Sequence, residues 1–303
     1  MSRVAKRRFE GSASEPHKVL LSLFKQFGHR YSVHEVFSDF VEIAALSISN
    51  TVDRHHAEAR EKRYEEIIRR YERVDRERFP QMFGALVQTF EDMVQGWVPH
   101  GDGLADVLGQ TYMMLELGND KAGQFFTPYP VSRLMARMNI GDGAPFVQRD
   151  GFVTLSEPAC GAGGMVIACA DALHDAGHNY QQTMHATCID IDPRCVHMTY
   201  VQLALLHIPA IVIHGNALSV EAWSTWITPA HVVGGWGEKL RFRRLAEAMR
   251  ELLQSPKRVE EAEGGDRGPD ERAAADGSSS AEKTPIPPAA LRVLVPDDQL
   301  ALF

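Results

Sequence analysis

The sequence predicts an α/β fold, a parallel sheet covered by helices and preceded by an all-helical region. Three observations predict it. Residues 16–118 carry apolar side chains at helical spacing, and from about residue 125 short β-rich runs alternate with helical stretches. Between the first β-rich run and the next helix stands a loop with a proline and three glycines, EPACGAGG (157–164).

Each element has its own warrant. In VHEVFSDFVEIAAL (33–46), Val33, Val36, Phe37, Phe40, Val41 and Ala44 form one helical stripe. AEAREKRYEEIIRRYERV (57–74) is a charged helix whose narrow seam is Tyr64, Ile67, Ile68, Tyr71 and Val74, with Glu66–Arg70 as an expected i,i+4 pair. FPQMFGALVQTFEDMV (79–94) and GDGLADVLGQTYMMLELG (101–118) complete the helical region, 1–118. The alternation then runs FVTLSE, GMVIACADALHDAG, MHATCIDID, RCVHMTYVQLALLHI and AIVIHGN, strand and helix in turn, within a domain spanning 119–254. GEKLRFRRLAEAMRELLQ (237–254) reads as a last amphipathic helix. Residues 255–290, rich in Glu, Gly, Asp, Ser, Ala and Pro, are expected to form a disordered acidic linker. Residues 291–303, LRVLVPDDQLALF, form an apolar terminal peptide.

Composition bounds the function classes. The chain has 303 residues, 44% hydrophobic and 24% charged, with a formal charge of −8, which excludes a globally basic nucleic-acid coat. Residues 255–303 hold ten acids and six bases, half of the excess. No apolar run suits a bilayer span, and the basic start lacks the apolar stretch of a signal peptide, so a cytoplasmic protein without membrane contact is expected. Cys160, Cys169, Cys188 and Cys195 show no CxxC pair and read as buried, reduced thiols. His55–His56 lacks a ligand set, so no metal is expected; His185, His197, His207 and His214 read as ordinary core or surface histidines.

The glycine loop is the informative feature. A Walker loop needs a lysine, and none is present; the dinucleotide fingerprint fails at Val166, where its third glycine belongs. Glu157 at the strand end also disfavours an anion. An uncharged or cationic adenosine derivative fits better, with glycines for close backbone approach and Asp190 at the next strand tip for ribose hydroxyls. Asn216, at the third strand tip, can hydrogen-bond an adenine edge.

GQFFTP (123–128), EPACGAGG (157–164), DIDP (190–193) and GNAL (215–218), in this order, resemble the motifs of N6-adenine DNA methyltransferases, and most of all the modification subunits of type I restriction systems. The resemblance covers roughly residues 100–235. It implies a Rossmann-like methyltransferase sheet, truncated after the fourth strand, and S-adenosylmethionine as cofactor. By position, Phe126, Thr127 and Pro128 would flank the methionine end, Glu157, Gly161 and Gly163 would line the loop, Asp190 would take the ribose, and Asn216 would stand beside the adenine.

One element of the family is missing. The tetrapeptide [DN]PP[YFW], whose side chain and prolyl carbonyl accept the hydrogens of the target amine while the aromatic ring stacks on the extruded base, occurs nowhere in the chain. Val233-Gly234-Gly235-Trp236 aligns in its place, where valine accepts no hydrogen bond and Trp236 alone could stack on a base; no catalytic residue is identified. An active methyltransferase with other acceptors or a partner subunit, and a silent relative that keeps its cofactor, DNA or protein partner, both stay open, and the silent reading is favoured. A non-catalytic interaction protein derived from a methyltransferase is the alternative. A small oxidoreductase would leave FFTP without a role.

The chain closes on Gln299, Leu300, Ala301, Leu302 and Phe303, which resembles the QL[SD]LF peptide that docks bacterial replication and repair proteins on the sliding clamp. The competing expectation is that LRVLV pairs with the sheet as an added strand. Expected partners are DNA, directly or through another protein, the sliding clamp, and a specificity or catalytic subunit, in a bacterial cytoplasm.

Overall fold

The computed structural model describes residues 13–27, 30–97, 103–117, 126–141 and 143–254. The 255–290 linker and the terminal peptide with Gln299, Leu300, Leu302 and Phe303 lie outside them. Helices α1 (Glu15–Phe24), α2 (Val33–Ser49), α3 (Ala57–Arg69), α4 (Arg73–Arg76), α5 (Arg78–Trp97) and α6 (Val107–Met114) come first. The α2 start is a capping arrangement: the Ser32 side chain accepts from the Glu35 amide at 3.1 Å. The stripe expected on α2 is buried, and Phe24 of α1 packs on Phe37 and Phe40 at ring distances of 5.5 and 5.4 Å. Arg70 does not pair with Glu66: the helix ends at Arg69, and Arg70 turns back to Asp39 of α2 at 2.8 Å.

The second part runs α7 (Tyr129–Ile140), α8 (Ala144–Asp150), β1 (Val153–Glu157), α9 (Gly164–Asp175), α10 (Tyr180–Thr183), β2 (Met184–Asp190), α11 (Pro193–Leu205), β3 (Ala210–Asn216), β4 (Glu221–Ile227), α12 (Pro229–Val233) and α13 (Trp236–Gln254). The described strands form one sheet in the order β1-β2-β3-β4. β1, β2 and β3 are parallel, with Glu157 beside Cys188 and Asp190 beside His214. β4 runs antiparallel to β3, where a wholly parallel sheet was expected. The reason is length: residues 217–220 make a hairpin turn, whereas a parallel return needs a crossover of about a dozen residues or more.

α9 and α11 cover the sheet, α7 packs along α9, and α2 packs along α11. One apolar core therefore runs from Leu20 through Phe40 and Leu108 to Val166, Val201 and Val212. Arg60 of α3 joins the helical region to the sheet. Its guanidinium pairs with Asp53 at 2.6 Å, donates to the Thr225 carbonyl of β4 at 3.0 Å and lies 4.3 Å from the Trp226 ring centre. All four cysteines are buried and free, and burial pushes their thiols up, Cys169 to about 12. No described helix is long and apolar enough to cross a membrane.

Candidate functional site

The site lies at the carboxyl edge of the parallel strands, where β1 delivers its last residue, Glu157, into the glycine loop. Gly161 and Gly163 hold φ of +55° and +88°, a left-handed backbone that costs other residues about 1–2 kcal/mol. Gly161 is also crowded. A Cβ there would meet the Phe126 ring at 3.0 Å, so the ring of the FFTP segment lies directly on the loop. Phe126 is supported from behind by Tyr112 of α6, at a ring distance of 5.2 Å. Thr127 and Pro128 are exposed, and the Pro128 carbonyl accepts from Val131 and starts α7.

β2 ties the loop down. The Gly161 amide donates to Asp190 Oδ2 at 2.8 Å, and the Cys160 amide donates to the Ile189 carbonyl at 3.0 Å. The other oxygen of Asp190 accepts from the Asp192 amide at 2.9 Å. Asp192 is itself the cap of α11, accepting from the Arg194 amide ahead of Pro193 at the first helical position. Burial pushes the Asp190 carboxyl above the usual carboxylate range. It does the same to Glu157, and the charge of Asp190 adds to the effect there. Neither carboxylate has an ion pair among the described residues. The crevice is therefore electronegative, which suits a cationic ligand and opposes a pyrophosphate.

The carbonyls of the loop are taken from below by residues that pattern reading did not single out. Thr199 Oγ1 donates to the Gly161 carbonyl at 2.9 Å. Gln202 Nε2 donates to the Ala162 carbonyl at 2.6 Å and to Asp106 Oδ1 at 2.8 Å, while its Oε1 accepts from the Leu108 amide at 2.9 Å. Asp106 caps α6 through the Gly109 amide at 2.8 Å, and its burial pushes its carboxyl up. Asp171 of α9 accepts from the Leu104 amide at 2.8 Å and pairs with Arg133 of α7 at 2.9 Å. These groups hold the loop through backbone atoms, so their only sequence signal is polarity on otherwise apolar helices.

Asn216 ends β3 as expected, but its Oδ1 accepts from the Leu218 and Ser219 amides at 2.9 and 3.4 Å. Its oxygen serves the hairpin turn; the amide N–H donors are what it offers a ligand. Trp236 is a correction. It is wholly buried, edge-on to Phe152 at 5.0 Å and 5.3 Å from the His185 ring. Those partners mark the amino end of β1 and β2, about 13–17 Å from the loop at ~3.3 Å per strand residue. It cannot stack on a base at the site. Val233-Gly234-Gly235-Trp236 runs from the last residue of α12 through a two-glycine turn to the first residue of α13 rather than forming a strand tip, because Pro229 starts a helix directly after β4.

The crowding at Gly161 makes a specific prediction. Gly161→Ala should cost about 1–2 kcal/mol from backbone conformation and displace the Phe126 ring. Gly84→Ala, in an exposed helical position with open space around it, should instead gain about 0.5–1 kcal/mol. Urea denaturation of both variants checks the contrast; equal stability of the two would refute it.

Residues 104–235 match the family model described as N-6 DNA Methylase. No curated protein matches the chain.

Proposed function

We propose, from the match of residues 104–235 to the N-6 DNA methylase family model, that the chain binds S-adenosylmethionine between the glycine loop and the tip of β2, and that it does not transfer the methyl group unaided. The observation that carries this reading is the Gly161 amide bonded to Asp190, which joins two of the quoted motifs while Phe126 brings a third against the same glycine.

The residues fit the cofactor chemically. Its role is to supply an electrophilic methyl on a sulfonium. Glu157 and Asp190 set two negative charges beside that cation, and the left-handed glycines let backbone approach closely. Asp190 retains lone pairs for ribose hydroxyls beyond those its two amides use. Ile191, 60% exposed directly after Asp190, offers an apolar face to a purine. Asn216 can donate to a ring nitrogen through its amide.

An adenine amine is a poor nucleophile, and two acceptors must position and polarise it before it can attack. With [DN]PP[YFW] absent and Trp236 in the core, this chain supplies no such pair among its described residues. DNA, a specificity or catalytic subunit, and a sliding clamp engaged through Gln299, Leu300, Leu302 and Phe303 are the partners this reading entails. A type I restriction-modification origin and a bacterial cytoplasm belong to it as well.

Calorimetry with S-adenosylmethionine, run beside tritium transfer to mixed-sequence DNA, tests both halves. The expected result is one binding site, weakened at least about tenfold in Asp190→Ala, with no label on DNA. A folded protein that binds no cofactor overturns the first half; label on DNA overturns the second.

A further inference from the structure

The two edges of the described sheet are unlike. At β4, Arg60 engages the Thr225 carbonyl and lies on Trp226. At β1, pairing exists with β2 alone. Parallel strands are ordinarily covered on both faces, yet Thr154 and Ser156 of β1 are exposed although this strand feeds the glycine loop. The helices fastened beside it are uncovered too. α7 runs into β1 through α8 and exposes Val131, Leu134 and Met138. α13 is held to β1 by Arg243, which donates to Thr154 Oγ1 at 3.1 Å, and it exposes Phe242, Leu245 and Met249.

We propose that residues 291–295, LRVLV, add to the free edge of β1 as a parallel strand. Five residues meet the five of β1, and the run is the apolar, β-branched sequence that fits a half-buried pleated surface. Leu291, Val293 and Val295 form one wholly apolar face. Pro296, which has no N–H to give a ladder, ends the strand. The connection has the right length and origin. A parallel addition needs about a dozen residues or more, and 36 (255–290) are available. They leave α13 just beyond Arg250, which lies 3.9 Å from Asp150, three residues ahead of β1. A chain of that length spans roughly 30–36 Å root-mean-square, ample for reaching the amino end of β1.

The added strand changes what the sheet can do. Open parallel sheets bind ligands where strand order reverses, and the order β1-β2-β3-β4 contains no reversal. A strand on the far side of β1 creates one beside Gly161. Residues 299–303 are left free for another partner. The proposal stands on the sheet edge and does not depend on cofactor binding.

Hydrogen exchange of the full chain, read on peptides covering 152–158, tests it. Val293→Asp is compared with Val293→Ile and with a chain ended at residue 290, which removes the strand without adding a charge. Amides of β1 are expected to exchange at least tenfold faster in Val293→Asp and in the shortened chain, to stay unchanged in Val293→Ile, and β2 amides to stay protected in all. Equal β1 exchange in the wild type and both disrupted forms overturns the proposal. So does β1 protection that appears only as light scattering detects a dimer, because a second copy then fills the edge.

Discussion

Gln202→Leu is expected to destabilise the protein by about 3–6 kcal/mol, although leucine nearly conserves the side-chain volume. The amide of Gln202 satisfies three buried groups at once, the Leu108 amide, the Ala162 carbonyl and Asp106. Leaving the Leu108 amide and the Ala162 carbonyl unpaired in a fully buried place costs about 1–3 kcal/mol each, and Asp106, which keeps the Gly109 amide, loses its second donor where it is already disfavoured as an anion. The damage falls on the site as well, because the Ala162 carbonyl is part of the glycine loop. Urea denaturation should show the midpoint falling at unchanged slope, and cofactor titration at low temperature should show weaker binding in the molecules still folded. A loss under about 1 kcal/mol would mean that the loop is not held from α11.

Acid should unfold the protein through its buried histidines. His17, His197 and His231 are each pulled by burial from 6.5 to about 4, and His185 is pulled well below its ordinary value. The folded state therefore binds fewer protons than the unfolded chain below pH 6.5. The stability is complete above that pH and is lost as pH falls toward 4. At pH 5 each of the three costs about 2 kcal/mol. Buried carboxyls such as Asp106 and Asp190, whose values are raised, gain protons in the folded state and offset part of this. His197→Phe isolates the effect: it removes a titrating ring packed 5.0 Å from Trp226 and keeps an aromatic one. Between pH 7 and pH 5 this variant should lose about 2 kcal/mol less than the wild type. Parallel stability curves would refute the assignment. The bond of 2.8 Å between His185 Nε2 and His231 Nδ1 requires a neutral acceptor nitrogen, so α12 and α13 should detach from β2 early in the transition.

Strands β1 to β3 and the helices between them were legible because their alternation and their loop glycines are local signals. Glu157 and Asp190 fall at strand tips, and Gly161 and Gly163 in the loop that follows the first of them, for the same reason: parallel strands put successive loops at one edge. The direction of β4 was less visible, since a short exposed run such as EAWSTWI does not announce its partner. Trp236 went astray because alignment to a missing motif assumed a strand tip, while Pro229 had already begun a helix. Thr199, Gln202 and Asp106 were unreadable for a deeper reason. They grip main-chain carbonyls and amides far away in sequence, and such contacts carry no spacing rule. His231 as the partner of His185 is hidden in the same way, 46 positions away.

The division at residues 118 and 119 is one of composition, while the core and Arg60 cross it. Cut there, the carboxyl-terminal piece would lose the guanidinium over Trp226 and the donor to Thr225, and the α2 face that covers α11. It would be left with the β4 edge uncovered, the geometry from which intermolecular strand pairing grows. Arg60 thus does for this molecule what a hem does for cloth: it keeps one margin from unravelling into its neighbours.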